Sequence, residues 1–240
     1  MYNILKEIVN YTKAVNLEEV KVSGTDKETC LDGVSADKTV VFQAKLHNPV
    51  SEFVDAVAGL PNLGRLNVIL NIQEYQQDAQ IVTGRDQKNI LDTIRFANAS
   101  GDFKNTYRLM SPELINSKIA SLNFHAPKWK LEFSPNALSI QKFNYQTQAM
   151  SDVVNCVTYT DGNNLMIEMG DVSSIHGSFV FHPGVQVQLK RQTWAVKPLI
   201  SVLNQVGDKT VSIDDNTAAM QVSIDSGQAV YTYILMAQSK

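Results

Sequence analysis

The chain has 240 residues, enough for one large domain or two of roughly 100–150 residues. Its 44% apolar and 19% charged residues are those of an ordinary globular protein, and no apolar run approaches the roughly 18 residues that a membrane span needs. The net charge of −3 argues against a nucleic-acid partner only if charge is evenly spread, and it is not: 133–151 and 172–207 contain no Asp or Glu, while the second carries Lys190, Arg191 and Lys197.

The N-terminal stretch MYNILKEIVNYTK mixes Lys and Glu into an apolar pattern, which is unlike a signal peptide, so a cytoplasmic protein without a membrane partner is expected. Over 3–15 the pattern predicts an amphipathic helix with Ile4, Leu5, Ile8, Thr12 and Val15 as its stripe. Lys6, Asn10 and Lys13 then share the opposite face. Strand-like runs follow in EVKVSG, ETCLDGV and KTVVFQAKL. After Asn48-Pro49 a second helix is predicted, with the stripe Val50, Phe53, Val54, Val57 and Leu60, ended by Pro61. Its polar face carries Glu52 and Asp55. RLNVILNI, AQIVTGR, DTIRFANA and NTYRLM read as strands, which places Arg65 in a loop or strand end.

A linker-like stretch at 111–127 precedes a second pass through the same order of elements. KWKLEF is a strand, Ser134-Pro135 opens a helix carrying Lys142 and Gln146, and a hairpin turns at Asp161-Gly162-Asn163. GSFVFHPGVQVQL adds strand character, and a helix at 196–206 buries Val196, Leu199, Ile200 and Leu203 before Gly207 stops it. KTVSID, AAMQVSID and AVYTYILMA close the chain. Each half reads helix, strands, helix, strands, a duplication that predicts an α+β fold of two similar domains, each an antiparallel sheet with two helices on one face. The domains are expected at 1–111 and 127–240, joined by a connector at 112–126.

GVSADKTVVFQAKL at 33–46, YRLMSPELINSKI followed by PKWKLEFSPNAL at 107–138, and AVYTYILMAQSK at 229–240 resemble the ring-shaped sliding clamps of DNA polymerases. The resemblance is to the two-domain clamps of T4-like phages and, more distantly, to PCNA-like clamps. It implies a homotrimeric ring of six domains that encircles duplex DNA without reading its sequence. The ring would tether the replicative polymerase and be opened by a separate ATP-dependent loader, with no cofactor, metal or catalytic activity of its own.

A sliding hold on DNA calls for Lys and Arg facing phosphates. The candidates are Lys6, Asn10, Lys13, Arg65, Lys142, Gln146, Lys190, Arg191 and Lys197; as single residues each could equally be part of a solvated helix face. The acidic Glu52 and Asp55 run against the pattern. The resemblance also implies a pocket for partner peptides at Val34, Leu114, Ile115, Ile119, Leu235 and Ala237, although Val34 and Leu235 equally suit core strands. Cys30 and Cys156 lie outside any CxxC pair, the four histidines are scattered, and no HxxxH, DxD, GxSxG or P-loop pattern occurs. Two alternatives stand beside the clamp: a phage tail or baseplate subunit of duplicated β-rich domains, and a small-molecule protein with a site between its domains.

Overall fold

The computed structural model describes residues 1–119 and 127–238. The second half of the predicted connector, 120–126, and the final two residues, 239–240, lie outside the described residues. The chain divides into two compact units, Met1–Asn123 with Gly227–Tyr231, and Phe124–Ser226 with Thr232–Lys240.

The first unit runs α1 (Tyr2–Lys13), β1 (Val20–Gly24), β2 (Thr29–Val34), β3 (Val40–Leu46), β4 (Ala56–Leu60), α2 (Leu63–Leu70), β5 (Gln80–Arg85), β6 (Leu91–Ala97), β7 (Lys104–Arg108) and α3 (Pro112–Lys118). Its strands form two sheets, β4-β1-β2-β3 and β5-β6-β7. The second unit runs β8 (Leu131–Phe133), α4 (Ala137–Ala149), β9 (Asn155–Asp161), β10 (Asn164–Gly170), β11 (His176–Pro183), β12 (Gln192–Ala195), α5 (Val196–Leu203), β13 (Asp208–Asp214), β14 (Ala219–Asp225) and the greater part of β15 (Ala229–Met236), whose first three residues belong to the first unit. It again forms two sheets, ordered β12-β9-β10-β11 and β8-β13-β14-β15. The duplication thus extends to strand order. Each unit splits its strands between two sheets where one had been expected, and β8 has no counterpart among the described residues of the first unit.

The second helix lies elsewhere than its pattern suggested. Ser51–Phe53 is a single 3-10 turn, Asp55 adopts φ +52°, and 56–60 is the strand β4. An α-helix cannot propagate through a left-handed residue, and in β4 Ala56 and Ala58 are buried while Val57 between them is half-exposed. The helix comes later, in the run taken for a strand. Asn62 caps it by accepting a hydrogen bond from the Arg65 N–H at 3.1 Å, and Leu63, Leu66, Ile69 and Leu70 form its buried stripe. Glu52 and Asp55 therefore belong to no helix, and Arg65 does.

The cores are built by alternation. In the first unit α1 buries Leu5, Ile8, Val9, Tyr11 and Thr12, and the Tyr11 ring stacks on Tyr231 with centroids 3.8 Å apart. In the second, Cys156, Thr158, Leu165, Ile167 and Trp194 point to one side of their sheet, and Leu199 and Leu203 of α5 line the same core as Thr158, Leu165 and Ile167. Burial pushes the Cys156 thiol up to about 12, leaving it inert at neutral pH.

One ion pair ties β8 to the turn after β13. The Lys130 ammonium bonds Asp215 Oδ1, and the Lys190 N–H donates to Asp215 Oδ2 at 2.8 Å. Burial alone would raise the Asp215 carboxyl, but Lys130 and the Lys190 N–H outweigh it and hold it below the usual carboxylate range. A pKa depressed on folding gives stability that is present above the unfolded value of about 3.9 and lost as pH falls through the folded value. Lys130→Met strands the carboxylate, so urea unfolding across pH 3–7 is expected to show lower stability at neutral pH and a smaller loss of stability on acidification than in the wild type. An unchanged acid profile would remove Lys130 as the cause.

Candidate nucleic-acid interface

In each unit two helices lie side by side on the core. In the first, the Tyr2 hydroxyl donates to the Leu70 carbonyl at 2.6 Å, joining the start of α1 to the end of α2, so the two run antiparallel. In the second, Asn144 of α4 and Asn204 at the end of α5 exchange side-chain hydrogen bonds of 2.9 and 2.8 Å. The far ends of the helices open onto matching clefts. One, of about 590 Å³, lies between the end of α1 (Thr12, Lys13) and the start of α2 (Leu63, Asn67); the other, of about 540 Å³, lies between the end of α4 (Thr147, Met150) and the start of α5 (Val196, Ile200).

These four helices carry Lys6, Lys13, Arg65, Lys142 and Lys197 against a single carboxylate, Glu7, in a chain where acids outnumber bases 24 to 21. Glu7 is engaged, accepting from the Tyr231 hydroxyl at 3.1 Å. Lys13, Arg65, Lys142, Lys197 and Asn10 are exposed, whereas Lys6 is half-buried with its ammonium 5.6 Å from the Tyr2 ring centroid. The local excess of positive charge is invisible in the net charge.

The remaining candidates fall differently. Gln146 packs against Gly177 of β11 and bonds Met150 Sδ at the end of its own helix at 3.6 Å, so its amide is spent on packing rather than offered to a ligand. Lys190 is exposed just before β12. Arg191 belongs to another surface: its guanidinium pairs with Glu168 and sits 4.3 Å over the Tyr159 ring. Glu168 and Tyr159 alternate with the buried Ile167, Met169 and Thr158, so they face away from α5, and Arg191 is removed from the helix side with its charge answered.

The predicted peptide pocket also divides. Ile115 of α3 is fully buried, its Cδ1 only 2.8 Å from where a Cβ on Gly59 would sit, which is why β4 has glycine there. Ser111 caps α3, the backbone of Met110 before it pairs with Gly59, and Lys118 pairs with Glu19 at 2.7 Å, so the connector helix is fastened at both ends. Ile119 and Leu235 are 5% and 3% exposed and serve packing within their own units. Val34 and Ala237 are half-exposed. The accessible large apolar residues nearby in sequence are Leu114, 48% exposed, and Met236, 44% exposed; strand register alone separates the exposed Met236 from the buried Leu235.

No family model and no curated protein matches the chain. Among solved structures, the PCNA of A. fulgidus with the C-terminal region of FEN-1 bound is similar over 100% of this chain and 97% of its own, with a TM-score of 0.69 at 12% identity. The PCNA of Thermococcus kodakaraensis is similar over 99% and 97%, with a TM-score of 0.67 at 9% identity. The chain has the PCNA-like sliding-clamp fold: two similar α+β units with antiparallel sheets. Among the described residues no helix is long and apolar enough to cross a membrane, and no cluster of His, Cys, Asp or Glu could hold a metal ion.

Proposed function

We propose that the protein is a sliding clamp, a homotrimeric ring that encircles duplex DNA and tethers a replicative polymerase. The observation that carries this is the charge of the paired helices, five cations against one engaged carboxylate, on a fold shared with PCNA. Exposed lysines and an arginine give a weak, sequence-blind attraction to phosphates, which suits sliding. Topology supplies the retention, and a tethered polymerase rebinds its primer end at high effective concentration. An ATP-dependent loader would open the ring. The phage-clamp kinship and the domain limits read from the sequence belong to the same proposal, as does a cytoplasmic location.

Head-to-tail closure needs one surface from each unit. The open edge of β7 and the open edge of β11 suit it, and α4 beside β11 exposes Leu138 and Tyr145 at 69% and 59%. Tyr145→Asp is therefore expected to shift the solution mass from three times the 26.6 kDa chain towards one chain, read by sedimentation equilibrium. An unshifted trimer would move the interface elsewhere. Partner peptides, like the FEN-1 region bound to the A. fulgidus PCNA, would dock on the connector helix with Leu114 as an anchor. The direct test of function is primer extension on a singly primed circle with polymerase and loader. Longer products are expected with the protein than without it, and equal lengths would refute tethering.

A further inference from the structure

The two units differ at one place that the duplication makes conspicuous. In the second, the hairpin β13–β14 carries β8 along its outer edge, pairing Val211, Ser212 and Ile213 with Phe133, Glu132 and Leu131. The corresponding hairpin of the first unit is β5–β6, and no described residue pairs with the other edge of β5. By hairpin position and face, Ile81 and Thr83 stand where Val211 and Ile213 stand. Val211 and Ile213 are 2% and 1% exposed beneath β8, whereas Ile81 and Thr83 remain half-exposed and Val82 between them is 60% exposed. Arg85 closes one end of this edge by donating to the Val54 carbonyl at 2.7 Å, leaving a short open edge over 80–84.

The sheet face beside the edge is basic. The register places Val82, Arg95 and Thr106 in one row, with Arg108 and Lys104 on the same face. These three cations meet one carboxylate, Asp92, whose Oδ2 lies 3.8 Å from Arg108 Nη1. The opposite face is core, with Ile94, Phe96 and Tyr107 buried, so this is a different surface from the helices.

We propose that the open edge of β5 takes an extended, acidic segment of a partner protein, added antiparallel as a further strand. Two apolar side chains at alternate positions of that segment cover Ile81 and Thr83, as Leu131 and Phe133 cover Val211 and Ile213, and its carboxylates face Arg95 and Arg108. Unpaired backbone N–H and C=O groups beside a half-exposed aliphatic strip fit a peptide strand. They do not fit a single-stranded nucleic acid, for which this face offers no aromatic side chain on which a base could stack, and phosphates would leave the aliphatic strip and the open backbone groups unused. A second copy is disfavoured because β5 carries no acidic residue, so pairing it with itself brings no carboxylate to Arg95 or Arg108. The inference stands whether or not the chain is a clamp.

The test is fluorescence anisotropy of a labelled peptide, Asp-Glu-Leu-Glu-Phe-Glu-Asp, titrated with the full chain. Saturable binding is expected, with slowed amide exchange confined to 80–84. It should weaken about tenfold with the exposed change Arg95→Glu, and about fivefold with Ile81→Ser or with a peptide in which Leu and Phe are adjacent. Absence of saturable binding, indifference to Arg95→Glu, or protection at another edge would overturn the proposal. So would a duplex DNA oligomer that displaces the peptide and ignores Ile81→Ser, which would assign the face to nucleic acid.

Discussion

Trp194→Ala is expected to lower the unfolding free energy by about 3–5 kcal/mol, the range for removing a fully buried large aromatic side chain. Trp194 is 0% exposed, and its indole N–H donates to Thr158 Oγ1 at 2.7 Å. It is the next-to-last residue of β12, two residues before α5 begins, so its loss empties the core on which α5 sits and strands a buried hydroxyl as well. Urea unfolding at neutral pH measures the effect. Trp194→Phe, which refills most of the volume and forfeits only the hydrogen bond, should recover more than half of the loss. A loss below about 1 kcal/mol for the alanine variant would show that the core relaxes around the gap.

Reversing Lys13, Arg65, Lys142 and Lys197 to Glu together is expected to abolish duplex DNA binding at low salt. Each single change to Gln should lower the salt-dependence slope of binding by about one, as for one lost phosphate contact. All four side chains are exposed, so stability should change by less than about 0.5 kcal/mol per site, checked by the same urea titration. Arg191→Gln is the discriminating control. It removes an equal charge from the sheet face turned away from α5, where Glu168 already answers it, and should leave DNA binding unchanged. Parity between Arg191→Gln and Lys13→Gln would mean that net charge, rather than the helix face, governs the interaction.

Much of this was legible in the residues. The α1 stripe, the hairpin at Asp161-Gly162-Asn163, α5 with its Pro198, and the repeated order of elements follow from apolar period and turn chemistry. The second helix was not. Val50, Phe53, Val54 and Val57 match a helical period, and the left-handed Asp55 that breaks it has no local signature in an aspartate. Pro61 ends the predicted helix, yet Asn62 next to it caps the start of α2. That exchange matters for function, because it moved two carboxylates off the helices and put Arg65 on one. Arg191 could not be sorted from Lys190 by sequence, since its partners Glu168 and Tyr159 are far away in the chain and meet it only across the sheet register. Ile115, Ile119 and Leu235 were read as an exposed groove, but burial depends on what packs over them. The glycine at 59 that seats Ile115 is a clue only once β4 is in place.

The central claim is that the protein holds DNA by enclosing it, and retention on circular against linear DNA tests this most directly. The protein is loaded with an ATP-driven loader onto nicked circular duplex, filtered at a salt concentration that screens phosphate contacts, and the DNA is then cut once. A clamp remains with the circle through filtration and is lost when the circle is linearised. Equal retention on cut and uncut DNA, or none on the circle, would contradict enclosure.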